Sequence, residues 1–173
     1  MLKLVNPDFE HKKSAEDFKK EFLDYGETVI NGSALLDKME YSEWLDNTRR
    51  NCNPETVREE WTVASTFFAV REEDEKIVGM IDIRHNLNTE FLSKYGGHIG
   101  YAVRPTERRK GYATEMLCQA LAFAGWIGLT KVMMSCYADN TASAKTIEKC
   151  GGVLTEVKPY LDGKMMKVYW ITI

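Results

Sequence analysis

Eleven residues carry most of the information in this sequence: the segment VRPTERRKGYA, from Val103 to Ala113. A β-prone run stops at Pro105, because proline cannot donate to a sheet, and a helical pattern begins at Tyr112. The segment is therefore predicted to leave a strand, turn and open a helix. The N–H groups of a first helical turn lack partners and lie at the positive end of the helix dipole. Gly111, which has no Cβ, would let an anion approach this backbone closely.

Four cations in the segment strengthen the prediction of an anion site. Arg104, Arg108, Arg109 and Lys110 stand together in a chain whose formal net charge is −3. The spacing matches neither the G-x-G-x-x-G of a dinucleotide fold nor the G-x-x-x-x-G-K-[ST] of a P-loop, which argues against a kinase or an ATPase. Two interpretations remain: a phosphate-binding loop, or a solvated basic turn.

The composition predicts one globular domain spanning residues 1–173. A hydrophobic fraction of 44% and a charged fraction of 28% are ordinary for a folded domain of this length. The small negative charge provides no field that would draw the protein to nucleic acid or to an anionic membrane. We find no signal-type apolar segment and no run of about 20 apolar residues, so a cytoplasmic location is expected.

Cysteine usage predicts neither a metal centre nor a disulfide framework. Cys52, Cys118, Cys136 and Cys150 are far apart and form no C-x-x-C pair. Cys118 falls on the apolar stripe of the helix that begins at Tyr112, and Cys136 falls in a strand-like run. Both are predicted to pack in the core. We expect free thiols and no bound metal.

Hydrophobic periodicity predicts seven strands and four helices. The chain opens with a short strand, and the other elements follow in this order: helices over about Lys13–Tyr25 and Tyr41–Asn51, a hairpin of Thr66–Val70 with Lys76–Arg84, a loop over His85–Gly97, a strand over His98–Val103, a helix from Tyr112 to near Gly125, a strand over Lys131–Tyr137, a helix over Thr141–Cys150, and closing strands over Val153–Val157 and Met165–Ile173. The chain contains no internal repeat and no linker that would divide it.

A second set of polar residues follows the strand that ends at Tyr137. Asn140 carries an amide donor and a carbonyl acceptor at a position where ligands often lie between diverging strands. Asparagine is also a preferred helix N-cap, and Ser143 fits the first turn of a capped helix. On these residues alone, ligand contact and helix capping both remain open.

Three motifs together resemble the GNAT superfamily of N-acetyltransferases. They are H-I-G-Y-A-V-R-P from His98, R-R-K-G-Y-A from Arg108, and N-T-A-S-A-K-T-I-E-K-C-G-G from Asn140, and the similarity covers about Phe67 to Ile173. Within the superfamily the chain is most similar to a bacterial branch of predicted acetyltransferases with G-H-I-G-Y and R-R-K-G-Y-A motifs. The resemblance implies an α/β (α+β) fold with a mixed, mostly antiparallel central sheet of about seven strands. That sheet is splayed at the cofactor site and flanked by about four helices.

The resemblance also implies acetyl-coenzyme A as a cosubstrate. Its pantetheine arm would pair with the strand that ends at Val103, and its pyrophosphate would reach main-chain amides from Arg109 to Ala113. The cofactor-binding residues that it implies are Ala102, Val103, Arg108, Arg109, Lys110, Gly111, Tyr112, Ala113, Thr114, Asn140 and Ser143.

Catalytic candidates follow partly from the resemblance and partly from acid–base chemistry. Many relatives carry a tyrosine seven residues after the asparagine, where it protonates the leaving thiolate, but this chain has Ile147 there. Some branches, including ones that acetylate protein N-termini, place a serine where Ser143 stands, so the resemblance makes Ser143 the candidate for a hydrogen bond to the sulfur. An ammonium must lose a proton before it can attack a thioester, and His85 and His98 are the candidate bases. Each histidine also has a purely structural interpretation.

The predicted reaction is transfer of an acetyl group to the primary amine of a small molecule or peptide, by direct attack in a ternary complex. An alternative is a catalytically inactive acyl-CoA-binding regulatory domain, and a third is a nonenzymatic interaction domain. Aromatic candidates for the acceptor pocket are Tyr41, Trp44, Trp61 and Tyr95. We expect no nucleic-acid or membrane partner, and homodimer formation is a further expectation.

Overall fold

Seven strands form two antiparallel sheets that meet at one seam. The computed structural model describes residues 1–173. One sheet has the strand order β1-β2-β3-β4 and the other β5-β7-β6. The strands are β1 (Leu2–Val5), β2 (Ala64–Arg71), β3 (Lys76–Arg84), β4 (Ile99–Val103), β5 (Lys131–Tyr137), β6 (Val153–Pro159) and β7 (Met165–Thr172). The α-helices are α1 (Lys12–Asp24), α2 (Tyr41–Asn51), α3 (Tyr112–Trp126) and α4 (Thr141–Lys149).

Helices cover both faces of the larger sheet. Side chains of a strand alternate between faces, so Phe68 and Met80 join a cluster of 12 buried residues with α1 and α2. Ile81 and Ile83 point the other way and join a second cluster of 17 buried residues, which includes Met116 of α3. Because both faces are covered, β2 and β3 are buried along almost their whole length. None of the helices combines the length and the apolar character that crossing a bilayer requires.

The two sheets are joined where β4 and β5 begin. The His98 N–H donates to the Met133 carbonyl at 2.8 Å, and the Met133 N–H donates to His98 Nδ1 at 2.9 Å. Gly97 allows this close approach, because a Cβ there would lie 2.5 Å from the Met133 oxygen. Beyond this seam, β4 and β5 share no main-chain hydrogen bond. The edges that they turn toward each other are left open.

The predicted elements are confirmed, with three corrections. The seven strands form two sheets rather than one continuous sheet, and every pairing is antiparallel. The predicted loop before β4 contains a π-helical turn, Leu92–Gly96. Cys118 is exposed rather than packed in the core, and its Sγ lies 3.8 Å from Cys150 Sγ. Its helical stripe reaches past the edge of the core.

We predict that His98→Ala lowers the free energy of unfolding by about 1–3 kcal/mol, because the buried Met133 N–H loses its only acceptor. Chemical denaturation followed by tryptophan fluorescence measures the change. His98→Asn is the matched control, since its amide oxygen can accept the same hydrogen bond. Equal losses in the two variants would contradict the assignment of His98 as an acceptor at the seam.

Candidate functional site

One large cavity opens where β4 and β5 separate, with a volume of about 1000 Å³. Its walls come from the open edges of both strands, the first turns of α3 and α4, and the linker between α1 and α2. The segment between β3 and β4 and the turn between β6 and β7 complete it. The residues that line it include Ala102, Val103, Arg108, Arg109, Gly111, Tyr112, Ala113, Thr114, Asn140 and Ser143. Of the implied cofactor contacts, only Lys110 lies outside this lining.

The segment between β4 and α3 presents a row of unpaired main-chain donors. After a 3-10 turn at Pro105–Glu107, two residues adopt left-handed backbone angles: Arg109 with φ +66° and Gly111 with φ +88°. The six consecutive N–H groups of residues 109–114 have no acceptor in the protein. A Cβ added to Gly111 would meet no atom within 4 Å. The glycine is therefore required by the backbone angle and not by contact with the protein.

A buried carboxylate holds this segment in place. Glu107 is 4% exposed, and it accepts hydrogen bonds from Arg71 at 2.9 Å, Lys76 at 2.7 Å and Lys110 at 2.7 Å. Burial acts to raise the pKa of Glu107, but the hydrogen bonds from Lys110 and Lys76 outweigh it and bring the pKa to about 2. The carboxylate is thus ionised at neutral pH and ties the segment to the β2–β3 hairpin.

Three of the four predicted cations are engaged within the protein. Arg104 is buried and donates to Glu21 at 2.6 Å and to the Ile77 carbonyl, so the prediction that it lies beside the anion site is wrong. The Arg108 guanidinium donates hydrogen bonds to both carboxylate oxygens of Glu27, at 2.6 and 2.8 Å.

Lys110 is the third engaged cation, since its ammonium is bound to Glu107. Arg109 lines the cavity with no ion pair. Sequence reasoning missed Lys145 and Lys149, which α4 places in the same lining one turn apart. Their i, i+4 spacing was the available signal.

Asn140 caps α4 and also lines the cavity. Its Oδ1 accepts a hydrogen bond from the Ser143 N–H at 3.1 Å. Asn140 therefore caps the helix and also lies in the cavity lining. The Ser143 hydroxyl lies 3.0 Å from the hydroxyl of Tyr101, a residue of β4 that also lines the cavity. Burial raises the pKa of Tyr101, so its phenol stays protonated at neutral pH. This pair bridges the two walls of the opening, and sequence reasoning did not identify Tyr101.

The two histidines lie apart from the cavity. His98 is buried, with Nδ1 used as an acceptor at the seam. His85 Nε2 lies 2.9 Å from Ser65 Oγ, and its ring packs near Phe123 of α3. Burial lowers the pKa of both imidazoles. Neither histidine lines the cavity, so neither ring is placed to take a proton from an amine bound there.

The aromatic candidates for the acceptor pocket separate into two groups. Tyr95 lines the cavity. Tyr41 and Trp44 are fully buried in the core under α1 and α2 and donate to main-chain carbonyls, while Trp61 lies outside the cavity lining. No group of three or more His, Cys, Asp or Glu side chains is arranged to hold a metal ion.

Comparison with known proteins agrees with this geometry. A family model described as an acetyltransferase (GNAT) domain matches residues 5–153. A comparison with curated proteins finds no match.

Solved structures with the same fold include three acetyltransferases. The microcin C7 self-immunity acetyltransferase MccE, in complex with acetyl-CoA and AMP, has a TM-score of 0.71 at 16% identity, with 99% of this chain and 92% of that chain covered. RimL, a ribosomal L7/L12 α-N-protein acetyltransferase in complex with coenzyme A, has a TM-score of 0.71 at 14% identity, covering 99% and 94%. A variant of spermidine N-acetyltransferase SpeG from Vibrio cholerae has a TM-score of 0.66 at 12% identity, covering 99% and 94%.

We predict that Glu107→Gln destabilises the protein by about 2 kcal/mol at pH 7, because three cations lose their shared carboxylate. The folded pKa of Glu107, about 2, lies below the unfolded value of about 4.3. The contribution of the ionised Glu107 to the free energy of unfolding is therefore complete above about pH 5 and is lost as the pH falls toward 2.

Denaturant titrations at pH 7 and pH 3 test this prediction. The difference in the free energy of unfolding between wild type and Glu107→Gln should be smaller at pH 3. Glu75→Gln is the control, since Glu75 pairs with Lys3 in an exposed ion pair. A difference that does not change with pH would contradict the role of the ionised carboxylate.

Proposed function

Because this chain belongs to the acetyltransferase (GNAT) domain family, we propose that it transfers the acetyl group of acetyl-CoA to the primary amine of a small molecule or peptide. The observation that carries the proposal is the row of six unpaired N–H groups at residues 109–114. Unpaired amides at a helix start bind phosphate oxygens through hydrogen bonds and through the helix dipole. A pyrophosphate fits this chemistry.

The charge distribution supports a ligand with several phosphates. Arg109, Lys145 and Lys149 line the cavity without an ion-pair partner, in a protein whose net charge is −3. Coenzyme A carries phosphates that these cations would attract. The open edges of β4 and β5 provide main-chain groups for the amides of the pantetheine arm, which would bind as an added strand does. Ala102 and Val103 lie on the first of these edges.

In the proposed reaction the acceptor amine attacks the thioester carbonyl directly. The carbon–nitrogen bond forms, the carbon–sulfur bond breaks with its electron pair on the sulfur, and the proton that the new amide nitrogen loses ends on that thiolate. Ser143 donates a hydrogen bond to that sulfur, and Tyr101 in turn donates to Ser143, with which it shares a 3.0 Å contact. In this proposal Tyr101 provides the phenol hydroxyl that many relatives provide from a tyrosine at the position of Ile147.

The proton that the acceptor ammonium must lose goes to water in this proposal. No histidine lines the cavity, whose other polar lining includes hydroxyls, amides and paired carboxylates. A main-chain N–H near Val103 would polarise the thioester carbonyl. Without a nucleophile held beside a base, the geometry favours direct attack over an acetyl-enzyme.

A regulatory domain that binds acyl-CoA without turnover is the second candidate. Ile147 favours it, because this fully buried apolar side chain cannot donate a proton. Thiol release with a panel of amines distinguishes the two functions. Binding of acetyl-CoA with no thiol released from any amine would favour the regulator.

We predict that Gly111→Glu abolishes acetyl-CoA binding, with a carboxylate placed beside the phosphates. The fold should persist with some loss of stability from the φ of +88°, since a Cβ at residue 111 would meet no atom within 4 Å. Calorimetry with acetyl-CoA measures the effect.

Gly128→Glu is the matched control for this change. Gly128 has a similar backbone angle, φ +94°, and equally open surroundings, but it lies outside the cavity. It should lose similar stability and keep its affinity for acetyl-CoA. Equal affinities in the two variants would exclude the amide row as the phosphate site.

We predict that Ser143→Ala slows turnover by about 10- to 100-fold, the effect of one hydrogen bond to a charged group, with little change in acetyl-CoA affinity. Tyr101→Phe should slow it less, and the double variant should be no slower than Ser143→Ala, because Tyr101 acts through Ser143. Steady-state kinetics and calorimetry separate rate from binding. Independent, additive losses would argue against the coupled pair.

A further inference from the structure

The cavity has a second wall that the phosphate-binding residues do not use. We call it the acceptor wall. It consists of residues from the linker between α1 and α2, the end of β3 with the segment that follows it, and the turn after β6: Val29, Asn31, Gly32, Arg84, Phe91, Tyr95, Gly96 and Tyr160. If the phosphates bind at residues 109–114, this wall faces the molecule that receives the acetyl group.

Arg84 is the ionisable group of this wall that carries charge toward a ligand. The two carboxylates in the cavity lining are both paired: Glu107 with three cations, and Glu27 with Arg108, at 2.6 and 2.8 Å. The hydrogen bonds from Arg108 lower the pKa of Glu27, so the carboxylate is ionised and its charge is offset by the paired guanidinium. The cavity cations without an ion pair, which are Arg109 and the lysines of α4, lie on the phosphate side.

The Arg84 guanidinium is fixed on one side and free on the other. Its Nε lies 3.3 Å from the buried Asp82 carboxylate, and its Nη1 donates to the Gly96 and Gly97 carbonyls at 3.2 and 3.3 Å. Asp82 is itself held by the Thr66 hydroxyl at 2.8 Å. The two N–H donors of Nη2 have no partner in the protein. A guanidinium oriented in this way loses little entropy when it binds a ligand.

The free nitrogen lies beside a glycine of the cavity lining. A Cβ added to Gly100 of β4 would be 3.5 Å from Arg84 Nη2, and Gly100 lines the cavity. The same Cβ would lie 3.2 Å from the Gly32 backbone, so glycine at residue 100 lets β4 and the linker between α1 and α2 pack closely beside these donors. The arginine side chain is 23% exposed, which is enough for contact with a ligand.

Aromatic rings stand on the same wall. Tyr95 packs against Tyr160 at 5.4 Å and against Phe91 at 6.0 Å, measured between ring centroids. Phe91 and Tyr160 are also neighbours, at 6.5 Å. The rings are inclined to one another, by 86° for Tyr95 and Tyr160, so the cluster offers an angled apolar surface to a hydrocarbon or aromatic group.

We propose that Arg84 binds the carboxylate of the acceptor, and that the acceptor is an amino acid with an apolar or aromatic side chain. This inference rests on the proposed function, whose acceptor class it narrows. The carboxylate takes the free Nη2 donors, the side chain packs against the aromatic rings, and the amine faces the thioester. Polyamines, which carry no anion, would meet an arginine and a glutamate whose charge is offset by Arg108 instead.

The test measures thiol release from acetyl-CoA with three matched acceptors: L-phenylalanine, L-phenylalaninamide and phenethylamine, compared at equal free-amine concentration. We expect kcat/KM for the acid to exceed that for the amide by roughly 10- to 100-fold, as a charge-assisted hydrogen bond provides. In Arg84→Gln the ratio should fall to about 1, with unchanged affinity for acetyl-CoA.

Arg109→Gln is the control variant, because it removes a cation of the same cavity on the phosphate side. It should weaken acetyl-CoA binding and keep the preference for the acid. An amide or phenethylamine that reacts as well as the acid in the wild-type protein would overturn the carboxylate assignment while the acetyltransferase function stands.

A binding measurement covers the remaining case. If no amine releases thiol, the proposed function fails, and calorimetry of the protein with coenzyme A then compares N-acetyl-L-phenylalanine with its amide. Preferential binding of the acid that Arg84→Gln removes would still support the arginine as a carboxylate site. Equal binding of the two compounds would exclude it.

Discussion

Two neighbouring strands that are joined at one end only impose the main constraint on this molecule. After the His98–Met133 contacts, β4 and β5 have main-chain groups that no protein partner satisfies. Open sheet edges are costly unless water or a ligand pairs with them. The fold places its donors around this opening: the amides of residues 109–114 at one side and the Tyr101–Ser143 pair across it. The cavity is thus a direct result of incomplete pairing.

Local patterns predicted what local forces determine. The helices and strands follow from hydrophobic periodicity, and the start of α3 follows from Pro105 and Gly111. The partners of the charged side chains could not be predicted this way. Arg104 binds Glu21, 83 residues away, and Arg108 binds Glu27, 81 residues away. His98 is similar, because its acceptor role depends on an N–H of another sheet.

The contact between the Tyr101 hydroxyl and Ser143 could not be predicted from residue type either. Tyr101 is an ordinary strand residue in the sequence, and only the separation of β4 from β5 brings its phenol to α4. The departure at Ile147 and the small residue at Gly152 form one packing arrangement. A Cβ on Gly152 would lie 2.4 Å from Ile147 Cγ2, so the isoleucine occupies the space that a larger residue at 152 would need.

The ion pairs that link distant segments bear on how the chain emerges during synthesis. Strand β1 pairs with β2, the Leu2 N–H donates to Glu115, and the carboxylates of Glu21 and Glu27 bind arginines beyond residue 100. The first thirty or so residues therefore leave the ribosome long before their partners exist. Contacts of such high sequence separation form late in folding. The buried apolar partners of α1 lie no later in the chain than Met80, so its apolar face can be covered first. The carboxylates of Glu21 and Glu27 meet their arginines only after residues beyond 100 have been translated.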